Sequence, residues 1–427
     1  MLDINLLREN PKTVLDDLRK RGDEEKEKWV DEAVKKDEEY RKLLQDSQQL
    51  RKKRNEITSE IDKLRREKKD TKKKIEEAKK IPAQIKELEK KTAALKERIN
   101  FLLMRLPNIM HKSVPVGKDD SENVEIKKWG KPVKPKFKMK PHGEFLQENG
   151  LADFERAAKV SGTGFYFLMG DLALLEQAIT QFAIKHLVKK GYTLVEPPLM
   201  IRREAYETVT DLGDFESVMY KIDGEDLYLI ATSEHPMGAM YMNEIIDEDK
   251  LPIKFAGISP CFRKEIGAHG VDTRGIFRVH QFNKIEQFIF SKPEDSWKLH
   301  EELLKNAEEI FQALEIPYRV VSICTGDIGT VAAKKYDIEA WMPREGEYKE
   351  VVSCSNCTAY QAVRGNIKIR RKNGDKEYAH TLNSTAIATS RAIRAIVENF
   401  QEEDGRIRIP KALQHYMDGK EFIGGKK

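Results

Sequence analysis

Long apolar runs are missing from this 427-residue sequence; none approaches the ~20 residues that a helix needs to cross a bilayer. The start, Met1-Leu2-Asp3-Ile4-Asn5, also lacks a basic segment followed by an apolar one, so a cytoplasmic chain is expected. Cysteine is scarce: Cys261, Cys324, Cys354 and Cys357 are too few for a disulfide framework in so long a chain, which fits a reducing compartment. No internal repeat of fixed period is present. The 39% hydrophobic content suffices for globular packing, and the length exceeds one ordinary core, so two domains are expected.

Net charge is only +5, but it is unevenly spread. Residues 1–110 carry 31 Lys and Arg against 24 Asp and Glu, and residues 51–80 carry 14 against 7. Such a basic surplus is the footprint of a surface that meets a polyanion such as RNA; a solvated lysine-rich helix would read the same way from charge alone.

Apolar residues recur at heptad spacing in Leu43, Leu50, Ile57 and Leu64, and again in Ile81, Leu88, Leu95 and Leu102. Ala78, Ile85 and Ile99 form a second register beside the return stripe. Seams this narrow predict two long helices paired as an antiparallel hairpin over about residues 27–105, each projecting roughly 60 Å at ~1.5 Å per residue. The connection from Arg66 to Lys74 is polar and basic, as a solvated tip would be. Pro82 lacks an N–H and predicts either a kink in the return helix or its true start. Ahead of the arm, Ile4, Leu6, Leu7, Val14, Leu15 and Leu18 predict short helices packed on the arm's base or on the rest of the chain. Leu106-Pro107-Asn108 stops the arm, and the Pro- and Lys-rich stretch Pro115–Pro141 reads as a linker. The expected division is therefore 1–110, a linker at 111–140, and 141–427.

Beyond the linker the texture is α+β with mainly antiparallel strands. β-Branched runs such as Tyr192–Val195 and Val320–Ile323 alternate with amphipathic helices at 171–190 and 295–315. The richest stretch is Cys261-Phe262-Arg263-Lys264-Glu265, a loop with Gly267, Gly270 and Gly275, then Phe277 to Glu286. Two strands joined by a loop give this pattern. Arg263 and Arg278 offer guanidinium forks for phosphate or carboxylate, Phe282 a flat face for a purine, and alternation puts Phe282, Lys284 and Glu286 on one face.

These residues carry a resemblance. Phe262-Arg263-Lys264-Glu265 followed by this loop and strand resembles the second signature motif of class II aminoacyl-tRNA synthetases. Asp272-Thr273-Arg274-Gly275 and Arg278-Val279-His280-Gln281-Phe282 follow the wording of the seryl-tRNA synthetase family. Gly191–Pro198 resembles the first motif, a dimer-interface helix and strand, and Leu382–Arg391 the third. Three motifs in order, over nearly the whole chain and arm included, are far more specific than any one.

The resemblance implies a class II catalytic domain with a mainly antiparallel sheet flanked by helices, behind a tRNA-binding helical arm. It implies activation of L-serine by ATP with Mg²⁺, then transfer to tRNA(Ser), with tRNA(Sec) as a second candidate, in a homodimer. Arg263, Arg278 and Arg391 carry over as catalytic residues. Thr232, Ser233, Glu234, Arg263, Glu286, Asn383 and Thr385 carry over to serine: Thr232-Ser233-Glu234 on its ammonium, Arg263 on its carboxylate, and Glu286, assisted by Thr385, on its hydroxyl. Arg263, Lys264, Glu265, Arg278, Val279, Phe282, Glu350, Val351, Val352, Ser353 and Arg391 carry over to ATP, with Glu350 and Ser353 holding Mg²⁺. Cys354-Ser355-Asn356-Cys357 has a zinc spacing, but Cys261 and Cys324 are isolated and make no second pair, so no zinc is expected. His269 and His280 read as loop or structural residues. Three readings compete: another class II synthetase, against which the hairpin arm, Thr232-Ser233-Glu234 and Glu286 together favour serine; a synthetase-derived binding or regulatory protein with a dead pocket, against which stand Arg263, Glu286 and Arg391; and a structural coiled-coil protein, which fails because the heptads stop before Pro107.

Overall fold

The computed structural model describes residues 1–210, 212–265 and 275–425, so the loop residues Gly267, His269, Gly270, Asp272, Thr273 and Arg274 lie outside the described residues. The chain divides into two compact units, Met1–Ile109 and Met110–Lys427.

The first unit is helical. Asp3 caps α1 (Ile4–Glu9) and Asn10 caps α2 (Pro11–Arg21), which carries proline at its first position and ends at Gly22 with φ +71°. α3 (Glu24–Arg66) runs 43 residues behind the cap Asp23, with Glu24, Glu25 and Glu27 in its first turn, where the helix dipole favours acids. α4 (Lys72–Arg105) returns over 34 residues. Its seam is the predicted one in substance: Ile57, Ile61, Ile81 and Ile85 are buried and Leu50, Ile75 and Ala78 pack against them. Leu43, Leu64, Leu88 and Leu95 are only half-buried, because a two-helix seam covers each side chain from one side. Three features refine the expectation. The tip is shorter, with α4 already under way at Lys72. Pro82 lies inside α4 and is not its start. Asp37 is buried at the arm's base, where Arg8 of α1 grips both carboxylate oxygens at 2.7 and 2.8 Å. The short helices therefore pack on the arm's base through a bidentate ion pair.

The second unit is built on an eight-stranded sheet: β1 (Val124–Trp129), β2 (Thr193–Val195), β3 (Ile253–Phe262), β4 (Gln281–Ser291), β5 (Tyr318–Ser322), β6 (Lys334–Met342), β7 (Glu347–Thr358) and β8 (His380–Ala388). The spatial order is β1-β5-β6-β7-β8-β4-β3-β2, antiparallel throughout except for β2 on β3. Strand alternation gives the sheet two chemically different faces. Ile285, Ile289, Ile338, Val352, Cys354 and Leu382 point into one large core with α5 (Asp171–Lys189), α7 (Ser296–Ala313) and α8 (Thr389–Phe400). Their neighbours in the strands point the other way. There Phe288 and Phe290 close a smaller cluster with Met237 of the short helix α6 (Glu234–Ala239), Val321 of β5 packs with Ile323, Ile328 and Ala332 in another, and part of the face opens on a cavity. The stretch read as a linker contains β1, an edge strand paired with β5. Its alternation, Val124-Glu125-Ile126-Lys127, is short and breaks at Lys127-Lys128, and Glu125, Lys127 and Lys128 suit an edge that must not pair with another chain.

Candidate active site

The open face carries a cavity of ≈ 600 Å³. Its floor is β4 and β8, and as alternation predicts, Phe282, Lys284 and Glu286 all face it. Glu286 is 2% exposed, and Oε2 of its carboxylate receives Lys284 Nζ at 2.7 Å and the Thr385 hydroxyl at 3.2 Å. Gly257 pairs with Glu286 in β3; a Cβ there would come within 2.7 Å of Ser233 Oγ and 2.5 Å of Met237 Cε, so the turn into α6 can approach only a glycine.

That turn delivers Thr232, Ser233 and Glu234 differently. Thr232 lines the cavity, and its Oγ1 accepts the Glu234 N–H at 3.2 Å. Ser233 is fully buried and its Oγ donates to the Gly257 carbonyl at 3.2 Å, so its side chain supports the turn from behind. Glu234 faces the cavity, with Oε1 accepting from Gln361 Nε2 at 3.0 Å and Asn383 Nδ2 at 3.1 Å. Burial, reinforced by the neighbouring Glu286, pushes the Glu234 carboxyl up to about 7. Burial also drives His235 down to about 3, and its Nδ1 has no partner among the described residues.

Three arginines also line the cavity. Arg263 follows β3, donates Nε to the Ala231 carbonyl at 3.3 Å and stacks its guanidinium 5.3 Å from the Phe282 ring centre. Arg278 reaches Glu265 at 3.5 Å, and both line the cavity. Lys264 and Val279 do not: Lys264 turns toward the Tyr220 ring, and Val279 is buried. Arg391, in the first turn of α8, binds the carbonyl and carboxylate of Glu350, each at 3.0 Å. This pairing, with Arg391 the leading cause, holds the Glu350 carboxyl below its usual range.

Glu350 and Ser353 both line the cavity, although residues three apart on a regular strand face opposite ways. The register of β7 with β6 slips here: Val352 pairs with Ile338 while Glu350 pairs with Glu339, leaving Val351 as a bulge. Val351 touches the cavity, and Val352 points into the core. Behind Ser353 lies Asp337 of β6, buried, its carboxyl raised by burial and bonded to the Ser353 side chain. Lys335, two residues away, also lines the cavity, 3.8 Å from Asp337. Glu350 and Ser353 thus present oxygen donors of the hard kind that Mg²⁺ prefers, few enough that phosphate oxygens would complete the shell. Cys354 sits in the core, Cys357 lines the cavity and accepts Asn383 Nδ2 at 3.6 Å, and both are free thiols.

Asn383 and Thr385 line the cavity, and Ser384 between them points away, its Oγ donating to the Thr385 carbonyl at 3.0 Å. Residues that sequence reasoning left out are Lys284, Lys335, Asp337, Gln361 and the segment Asp327–Ala332. Only Lys284 carried a signal, its place on the Phe282–Glu286 face. A chemistry-bearing cleft results: a buried acceptor, a second carboxylate near neutrality, three arginines and a pair of oxygen donors.

Comparisons with known proteins agree along the chain. Residues 1–110 match the family described as seryl-tRNA synthetase N-terminal domain. Residues 217–400 match the tRNA synthetase class II core domain (G, H, P, S and T). The serine–tRNA ligase of Methanocella arvoryzae is 61% identical, over 99% of this chain and 100% of its own. A crystal structure of seryl-tRNA synthetase from Pyrococcus horikoshii complexed with ATP superposes with a TM-score of 0.95 at 52% identity, covering 100% of both chains. The cytoplasmic serine–tRNA ligase of Naegleria fowleri in complex with AMP superposes at 0.89 with 36% identity, covering 100% of this chain and 99% of that one.

Proposed function

The chain belongs to the seryl-tRNA synthetase family, and on that premise we propose that its cavity joins L-serine to ATP and passes the seryl group to the 3′ end of tRNA(Ser). The observation that carries the substrate assignment is the Glu286 carboxylate, buried and tied on one oxygen, in a cleft ringed by Arg263, Arg278 and Arg391. A buried acceptor of this kind demands a donor, which the serine hydroxyl supplies and alanine does not.

Serine lies with its ammonium toward Glu234 and its carboxylate toward Arg263. A carboxylate oxygen attacks the α-phosphorus of ATP, the bond to the β,γ-diphosphate breaks, and diphosphate leaves. Arg263, Arg278 and Arg391 hold the charge spread over the phosphate oxygens, and Phe282 takes the adenine on its face. Glu350 and Ser353 would hold Mg²⁺, which neutralises phosphate charge when bound. The chain's own work is positioning: no side chain forms a covalent bond. A ribose hydroxyl of the RNA end then attacks the seryl carbonyl and AMP leaves.

The arm's basic helices suit the phosphates of an RNA stem, since Lys52, Lys53, Lys72 and Lys73 are exposed. Support for a homodimer comes from Leu194, Leu199 and Met200, apolar side chains exposed on and beside the edge strand β2. The functional reading is tested by charging with labelled amino acids: serine attached to tRNA(Ser) and not to tRNA of another identity is expected, and serine attached to neither overturns it. Adding tRNA(Sec) to the same assay decides whether it is a second substrate.

A further inference from the structure

Lys284 is an ammonium side chain 7% exposed, at the floor of a cavity that must read a neutral hydroxyl. Stability does not account for it. A buried ion pair pays heavily in desolvation and is often matched by an apolar pair of the same volume. Its contacts are specific: Lys284 and Glu286 share one face of β4, and Nζ lies 2.7 Å from Oε2. Thr385 of β8, paired directly with Glu286, sends its hydroxyl to the same Oε2 at 3.2 Å. Oε1 has no hydrogen-bond partner among the described residues. One oxygen therefore carries an ion pair from its own strand and a hydrogen bond from the next, and the other is left for a ligand. The carboxylate cannot exchange its oxygens without breaking the ion pair.

We propose that Lys284 is a positioning residue for amino-acid selection: by fixing Oε2 of Glu286 it makes Oε1 an acceptor that only a hydroxyl-bearing substrate satisfies. This rests on the reading that the cavity binds serine. Without Lys284 the carboxylate can turn or take water on Oε2, and the penalty for a missing substrate hydroxyl falls. Selection is lost more than binding of ATP, whose contacts lie elsewhere.

The test is pyrophosphate exchange with serine and with alanine for wild type, K284M, K284R, E286Q and K284M/E286Q, with ATP binding measured by calorimetry. For K284M we expect a serine KM raised at least tenfold, a serine-over-alanine preference reduced at least tenfold, and ATP affinity unchanged. K284R, which restores the charge, recovers part of the preference. In the E286Q background the added K284M changes neither serine KM nor preference, because Lys284 acts through Glu286. The double variant removes both ends of the buried pair, so it keeps the question answerable if K284M fails to fold. A K284M preference equal to wild type overturns the inference, as does a double variant clearly worse than E286Q. Wild-type protein with no serine-dependent exchange overturns instead the serine reading beneath it.

Discussion

Glu350 and Ser353 stand three residues apart on one strand and face the same cavity, because the bulge at Val351 inserts an extra residue between them. The bulge turns an arrangement that strand geometry forbids into a pair of oxygen donors beside Arg391. A one-residue change of register would send Glu350 to the other face of the sheet. E350Q keeps the shape and removes the charge. Its kcat in serine-dependent pyrophosphate exchange should fall about 10²–10³-fold, as for other losses of a charge-organising group, with a higher Mg²⁺ requirement and little change in melting temperature. Exchange within a few-fold of wild type would remove Glu350 from the proposed metal site.

Glu234 gives the reaction a pH dependence. Burial and Glu286 raise its carboxyl from an ordinary 4.5 to about 7, so the empty folded protein keeps the proton up to neutrality while the unfolded chain has released it. The sign for stability follows: between pH 4.5 and about 7 the folded state holds more protons, and this group makes the empty protein less stable as pH rises through that window. Serine reverses the preference, since its ammonium favours the ionised carboxylate. Serine KM should therefore rise as pH falls below 7, approaching about tenfold per unit, while ATP KM stays flat. In E234Q the serine dependence should vanish; a wild-type serine KM independent of pH from 6 to 8 contradicts the role given to Glu234.

Thr385 contacts the same Glu286 oxygen as Lys284. T385V removes one donor from Glu286 Oε2 and preserves volume, so serine binding should lose about 1–3 kcal/mol, a rise in KM of roughly 5- to 150-fold. ATP binding, read by calorimetry, should not change. A normal serine KM in T385V would mean that the Lys284 contact alone suffices to hold Glu286.

The arm separates the two half-reactions. Charge reversal at Lys52, Lys53, Lys72 and Lys73 should leave serine-dependent exchange intact and raise the KM for tRNA(Ser) tenfold or more, with a shallower dependence on salt. Charging that is unaffected would return these lysines to the role of a solvated helix face.

The sequence made some of this legible and concealed the rest for physical reasons. The arm was readable because Ile57, Ile81 and Ile85 repeat at helical spacing. Asp37 at its base was not, since its partner Arg8 comes from a separate helix. β1 left only the short alternation Val124-Glu125-Ile126-Lys127, which the surrounding lysines and prolines hide. Within the site, alternation alone put Phe282, Lys284 and Glu286 together. The resemblance supplied segments rather than side chains: Thr232 and Glu234 face the cavity while Ser233 between them supports the turn, and Val352 faces the core beside Ser353. Neither the bulge at Val351 nor Asp337 behind Ser353 could be read, because both depend on how β6 registers against β7.

The most direct test of the account is amino-acid-dependent exchange of pyrophosphate into ATP, with Mg²⁺ and without RNA, comparing serine with threonine, alanine and glycine. The account predicts strong exchange with serine and, at equal concentration, at least a hundredfold less with each of the others. Equal exchange with alanine, or none with serine from folded protein, would contradict it.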